Sequence, residues 1–198
     1  MKNGIEENGA VSPNSNFDST LQPPPELEEA WIEHPEIVKL GDPILRQVAK
    51  PVLRYNQETR KLIEHMTTVL RKAHGLGLAA PQVGVSSRIL VYDTGDGLRV
   101  LVNPVIVSQR GEQTDPPEGC LSIPGLQGVV TRANEMRVKG FDERGRPVTC
   151  RVNELESRVI QHEIDHLDGI LFFDRAAPET VVWLLEDEDA PEDTVLQR

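Results

Sequence analysis

Between residues 57 and 75 the apolar positions Leu62, Ile63, Met66, Val69 and Leu70 recur at three- and four-residue intervals. That spacing predicts an amphipathic helix, with Gly75 placed to end it. Further along, the period changes. "SRILVYD" and "LRVLVNPVIV" are short apolar runs rich in β-branched residues, separated by "TGDG", and they read as two strands joined by a turn. "QGVVT", "EMRVKGFD" and "PVTCRV" predict three more short strands, with "DERGRP" as the turn between the last two. Helical spacing returns in "NELESRVIQHEIDHLDG". Asn153 stands where a start cap is needed, Glu156 follows three residues later as in a capping box, and Gly169 can close the end. Strands grouped between two helices predict an α+β chain, not a regular βαβ alternation.

The last helix carries two apolar stripes. Ile160, Ile164 and Leu167 share one face and suit an anchor in the core. Leu155 and Val159 lie on a neighbouring face, and His162 and His166 continue that second stripe. An ion held by the two imidazoles would therefore sit beside an apolar patch, which suits a substrate with an apolar side chain.

Charge changes the picture at the ends of the chain. The formal net charge of the 198 residues is −11. Segment 1–37 holds eight acidic residues and one basic, and 185–198 holds six and one, which leaves 18 acidic against 19 basic residues in 38–184. The acidity thus belongs to the termini. The first 37 residues, rich in Asn, Ser, Pro and Glu, read as a mostly disordered extension, 38–184 as a single catalytic domain, and 185–198 as a solvated acidic tail. No basic footprint for nucleic acid is present. The start lacks the charged-then-apolar order of a secretory signal, and no apolar run reaches the length of a membrane span. Two cysteines, Cys120 and Cys150, make no disulfide framework, so a reducing cytoplasm is the expected location.

The candidate chemistry lies in "HEIDH" at 162–166. Histidines four apart on a helix point the same way and can share one ion, with the glutamate beside the first as a base. A catalytic metal usually takes a third protein ligand and keeps a position open. A metzincin-like HExxHxxGxxH pattern continues through Gly169 but meets Phe172 where the third histidine belongs, and no Met-turn follows. Glu186 lies twenty residues past His166, within the acidic tail. Upstream, Cys120 sits in "PPEGCLSIPG", where Gly119 permits close backbone approach. One thiolate and two imidazoles would suit Fe2+, Zn2+, Ni2+ or Co2+. Cys150, in a strand-like run, fits a buried thiol without chemistry. A third segment, "HGLGLAAPQVGV" at 74–85, lacks the Lys-Ser/Thr of a phosphate loop. It can be a tight turn packed on a sheet, or a loop shaped by Gly75 and Gly77 to meet an extended ligand, with Gln82 offering an amide donor.

Taken together, GLGLAAPQ (75–82), EGCLS (118–122) and QHEIDH (161–166) resemble, in order and spacing, the motifs of bacterial-type peptide deformylases, over about 38–175. The resemblance implies short antiparallel or mixed β-sheets packed around the C-terminal HExxH helix, and a metal-dependent hydrolase that removes the N-formyl group from the initiator methionine of new polypeptides and releases formate. It implies Cys120, His162 and His166 as metal ligands, and Glu163 as the base that takes a proton from water and returns it to the leaving amine. The Gln82 amide and the Leu121 backbone N–H would stabilise the developing oxyanion. It further implies an extended substrate along Gly75, Leu76 and Gly77, a methionine pocket formed by Leu76, Leu155, Val159 and the flank of His162, and a Glu118–Arg132 pair bracing the cysteine loop. The family's native ion is Fe2+, in a ferrous thiolate site sensitive to oxygen. The implied partners are N-formylmethionyl nascent peptides, with ribosome association left open. Arg158 and Gln127 stand at positions that vary in the family and receive no role. Pro117 replaces a second glutamate found in many members and should change loop stiffness, not chemistry. Two other functions remain to be weighed: a metallopeptidase, against which Phe172 and EGCLS both count, and a non-catalytic binder of nascent chains, which would not need Glu163 and Gln82.

Overall fold

A computed structural model describes residues 21–185. Helix α1 spans Glu28–Ile32, α2 Gln57–Lys72 and α3 Glu154–Leu167. The strands are β1 (Gly77–Ala79), β2 (Ile89–Tyr92), β3 (Arg99–Arg110), β4 (Glu118–Cys120), β5 (Ile123–Gly128), β6 (Glu135–Phe141), β7 (Pro147–Asn153) and β8 (Val182–Trp183). They form two sheets, one in the order β1-β2-β3-β6-β7 and one in the order β4-β5-β8, with every neighbouring pair antiparallel.

The β1–β2 end of the larger sheet is covered on both faces, and β2 shows how. Its residues alternate sides, as any strand's must. Ile89 and Val91 join Ile63, Met66, Val69 and Leu70 of α2 in one apolar cluster. Leu90 and Tyr92 join Val159, Ile160, Ile164 and Leu167 of α3 in another. All four β2 residues are buried, which is why "ILVY" is continuously apolar instead of alternating. A third cluster under the small sheet holds Leu45, Ile123, Leu126, Val130, Phe172 and Phe173.

Several local expectations are corrected. Helix α2 ends at Lys72, with His74 in the left-handed region (φ 51°), so Gly75 is not the residue that turns the chain. Asn153 does sit at the start of α3, but its side chain makes no capping bond, and Glu156 faces Tyr92 and Arg99 instead of closing a capping box. Tertiary partners outcompete the local cap at that end. The strand expected in "QGVVT" lies earlier, at Ile123–Gly128, because the pairing is dictated by β4: Glu118 opposes Gly128 and Gly119 opposes Gln127. The short strands β1, β4 and β8 have too few residues to show a period.

Part of the N-terminal extension expected to be disordered is structured. Within 21–37, Leu27 and Ile37 are buried, the Trp31 indole N–H donates to the Pro124 carbonyl, and Leu27 packs directly over Gly125 of β5. Residues 1–20 and the tail from 186 onward, Glu186 included, lie outside the described residues. No helix among the described residues is long and apolar enough to cross a membrane.

Candidate metal centre

Helix α3 is buried almost all round, and its position decides where the histidines point. Ile160, Ile164 and Leu167 fix it to the large sheet, as the spacing predicted. His162 and His166 then face the small sheet, with ring centroids 4.9 Å apart. The β4 strand approaches from the other side, and the Cys120 Sγ lies 3.2 Å from His166 Nε2. The ligand-type atoms of Cys120, His162 and His166 all fall within 4.8 Å of one another.

The chemistry of this set fits a divalent cation. A sulfur and two imidazole nitrogens converge. Burial acts to lower the His162 pKa, but Cys120 and Glu118 outweigh it and hold it well above the ordinary value. Burial and the neighbouring His162 hold His166 well below its ordinary value, as a neutral imidazole. Glu118 Oε2 lies 2.9 Å from His162 Nδ1, so the other ring nitrogen is left for the cysteine side. Phe172 also touches this ring. Its side chain is buried and stacks on His162 at 6.2 Å between centroids and 20° between planes. The position that a metzincin would give to a ligand here holds the histidine's packing partner. Gly169, which seemed to continue that pattern, has φ 74°, and a Cβ on it would meet the Arg46 carbonyl oxygen at 2.7 Å.

Glu163 points to the opposite wall. It is 3% exposed, its Oε2 has no hydrogen-bond partner, and burial pushes its carboxyl up to about 7. A Cβ built on Gly77 would lie 2.5 Å from Glu163 Oε1, and one on Gly75 would lie 2.7 Å from Leu121 Cδ1. The glycines thus let the 75–77 loop run between Glu163 and Leu121 at near contact. Gly77→Ala is expected to displace the Glu163 carboxylate and lower kcat by at least about tenfold, given that displacements near 1 Å carry large rate losses. Steady-state kinetics beside an unchanged far-ultraviolet circular dichroism spectrum would check this. Undiminished kcat would show that the close approach is incidental.

Gln82 is oriented by its own oxygen. Oε1 accepts from the Ala79 N–H at 2.8 Å, so Nε2 must face the cysteine, 3.6 Å from Sγ and 3.3 Å from Ser122 Oγ. Two backbone bonds from the preceding segment, Val38 N–H to the Gln82 carbonyl and Leu40 N–H to the Ser122 carbonyl, tie these elements together. Leu76, Leu155 and Val159 meet in the apolar cluster beside α3.

The expected Glu118–Arg132 pair is present and larger than expected. Arg132 grips Glu118 with two bonds of 2.8 Å and reaches Asp165 at 2.5 Å; Arg175 holds Asp165 at 2.7 and 2.8 Å. Burial alone would raise the Glu118 carboxyl, but its bonds to Arg132 and His162 hold it well below the usual range. The sequence gives no signal for Asp165, Arg175 and Ser122, and Arg158, which received no role there, proves to bind Glu118. Charged residues on a helix normally signal a solvated face, yet Arg158 and Asp165 are buried. Cys150 is half-buried in β7, away from this set.

A family model described as polypeptide deformylase matches residues 34–181. The peptide deformylase of Pelotomaculum thermopropionicum is 52% identical over 141 residues, covering 71% of this chain and 90% of the relative. That of Carboxydothermus hydrogenoformans is 47% identical, with 71% and 92% covered. Among solved structures, the peptide deformylase of Thermotoga maritima superposes with a TM-score of 0.70 at 40% identity, covering 72% of this chain and 97% of that one. The one from Synechococcus elongatus, solved with actinonin, gives 0.69 at 43%, covering 71% and 78%. With three-quarters of its length matched and its fold shared, the chain belongs to the polypeptide deformylase family, hydrolases that remove the N-formyl group from newly made polypeptides.

Proposed function

We propose that Cys120, His162 and His166 hold one divalent ion, natively Fe2+, and that Glu163 is the general base and acid of the deformylation. The carrying observation is the convergence of those three donors within 4.8 Å beside a buried glutamate whose carboxyl is pushed up to about 7. When bound, the ion supplies Lewis acidity to the formyl carbonyl and to the attacking water. Glu163 accepts the water's proton and passes it to the leaving amine, a task that suits a group able to gain and lose a proton near neutral pH. The Gln82 amide, locked by Ala79, and the Leu121 N–H donate to the oxygen on which charge develops. Formate and a free N-terminus leave.

The substrate lies extended. Strand β1 is the outer strand of the large sheet and β4 the outer strand of the small one, so both offer backbone groups to an added strand. Gly75, Leu76 and Gly77 flank the formyl end, and the methionine side chain enters the apolar patch of Leu76, Leu155 and Val159. The substrate is an N-formylmethionyl chain just made in the cytoplasm. With a net charge of −11, the protein offers no general attraction to ribosomal RNA.

Anaerobic purification, metal analysis and a formate-release assay test this reading together. Formyl-Met-Ala-Ser should give formate and new amine in equal amounts, while the acetylated peptide stays intact, and iron should track activity. Internal peptide cleavage without formate would favour a metallopeptidase and sink the proposal.

A further inference from the structure

The proposed ligands come from two separate pieces of chain, β4 for Cys120 and α3 for the histidines, and something must set the distance between them. Arg158 lies one helical turn before His162 and is 3% exposed. Its Nη1 donates to Glu118 Oε1 at 2.8 Å and to the Val130 carbonyl at 3.0 Å. Its Nη2 donates to the carbonyls of Gln113 at 3.0 Å and Asp115 at 3.3 Å. One guanidinium on the histidine helix therefore grips both the carboxylate two residues before Cys120 and the backbone that runs into β4.

Charge balance alone does not account for this residue: it is the second buried cation beside Glu118 and Asp165, but an ion pair with Glu118 would need neither its bond to Val130 nor its bonds to Gln113 and Asp115. Arg158 also leaves its buried Nε without a partner, which costs stability. What it adds is the planar, two-ended reach of a guanidinium across the gap between α3 and the 113–118 segment.

We propose that Arg158 is a positioning residue that sets the spacing between the cysteine strand and the histidine helix, and thereby governs how tightly the centre retains its ion. It touches none of the reacting atoms. The inference rests on the ligand set proposed above.

Arg158→Lys tests it. Lysine keeps the charge and drops the unpartnered Nε, but reaches only one end of the span. Native chain and variant are loaded with Co2+, whose thiolate charge-transfer band reports the cysteine bond. The readouts are that band, the rate of Co2+ loss to excess chelator, the KM of the loaded enzyme and the melting point of the metal-free chain. Expected for the variant are Co2+ loss about 10–100-fold faster, the usual scale for residues that orient ligands, a weakened or shifted band, and an unchanged KM. A lowered metal-free melting point with native band and native Co2+ loss would mark a merely structural residue and overturn the proposal, as would native behaviour throughout. Absence of the band in the native chain would instead reject the ligand set itself. If the variant does not fold, hydrogen exchange in the native chain decides. Loading with Co2+ should slow the amides of 113–115 along with those in 118–122, and unchanged exchange in 113–115 would overturn the coupling.

Discussion

Replacing Glu163 with glutamine is expected to leave the ion in place and remove most of the turnover. The two side chains have nearly the same shape, so the amide fits the space beside Gly77 that the carboxylate occupies. The amide cannot take a proton from water. General-base contributions are typically about 10²–10⁴ in rate, which corresponds to roughly 3–5 kcal/mol of barrier. Full metal content with kcat reduced on that scale is the expected pair of results, and a near-native kcat would remove Glu163 from the base role.

The same variant should reveal what the buried acid does to stability. Glu163 is raised from 4.5 to about 7 in the folded chain, chiefly by burial. Between those two values the folded chain holds a proton that the unfolded chain has released, so stability falls as pH rises through that window. Glutamine removes this loss. In metal-stripped protein, the melting point of the variant should gain on that of the native chain between about pH 5 and pH 7 and stay ahead above it. Such an exchange of stability for function is common where a site keeps an unpaired polar group.

Cys120→Ala should abolish metal retention and activity together. Perturbing residues that merely orient ligands already costs about 10–100-fold in affinity, so losing a donor atom outright should exceed that. Because an ion that binds the folded chain stabilises it, the native protein's melting point should rise on metal loading and the variant's should not. A full metal complement in the variant, read by elemental analysis, would overturn the three-ligand assignment. The Cys150→Ala control should keep both metal and activity, since that thiol lies in β7 outside the cluster.

Much of the molecule could be read from local pattern. The spacing in α2 marked Ile63, Met66, Val69 and Leu70, all of which are buried. The stripe in α3 placed Ile160, Ile164 and Leu167 in the core and turned both histidines to a common side. Turn residues located the β6–β7 hairpin, where Asp142 accepts from the Arg144 and Arg146 N–H groups and Gly145 adopts φ 74°. These features depend on neighbours a few residues away, and a period of two or 3.6 records them directly.

Other features have no local trace. Cys120 and His166 are separated by 46 positions, and only the docking of the small sheet against α3 brings their atoms to 3.2 Å. Nothing in the order of residues marks Arg158 and Asp165 as buried until Glu118 and Arg132 are placed beside them, since a charge is buried only where partners from elsewhere in the chain meet it. Phe172 looked like a broken ligand position and proves to be the ring against which His162 is stacked. The sequence by itself determined which residue types were available and which helix face they shared. The tertiary structure decided distance, burial and partners, because those depend on which faces of remote segments pack together and not on the order of residues within any one of them.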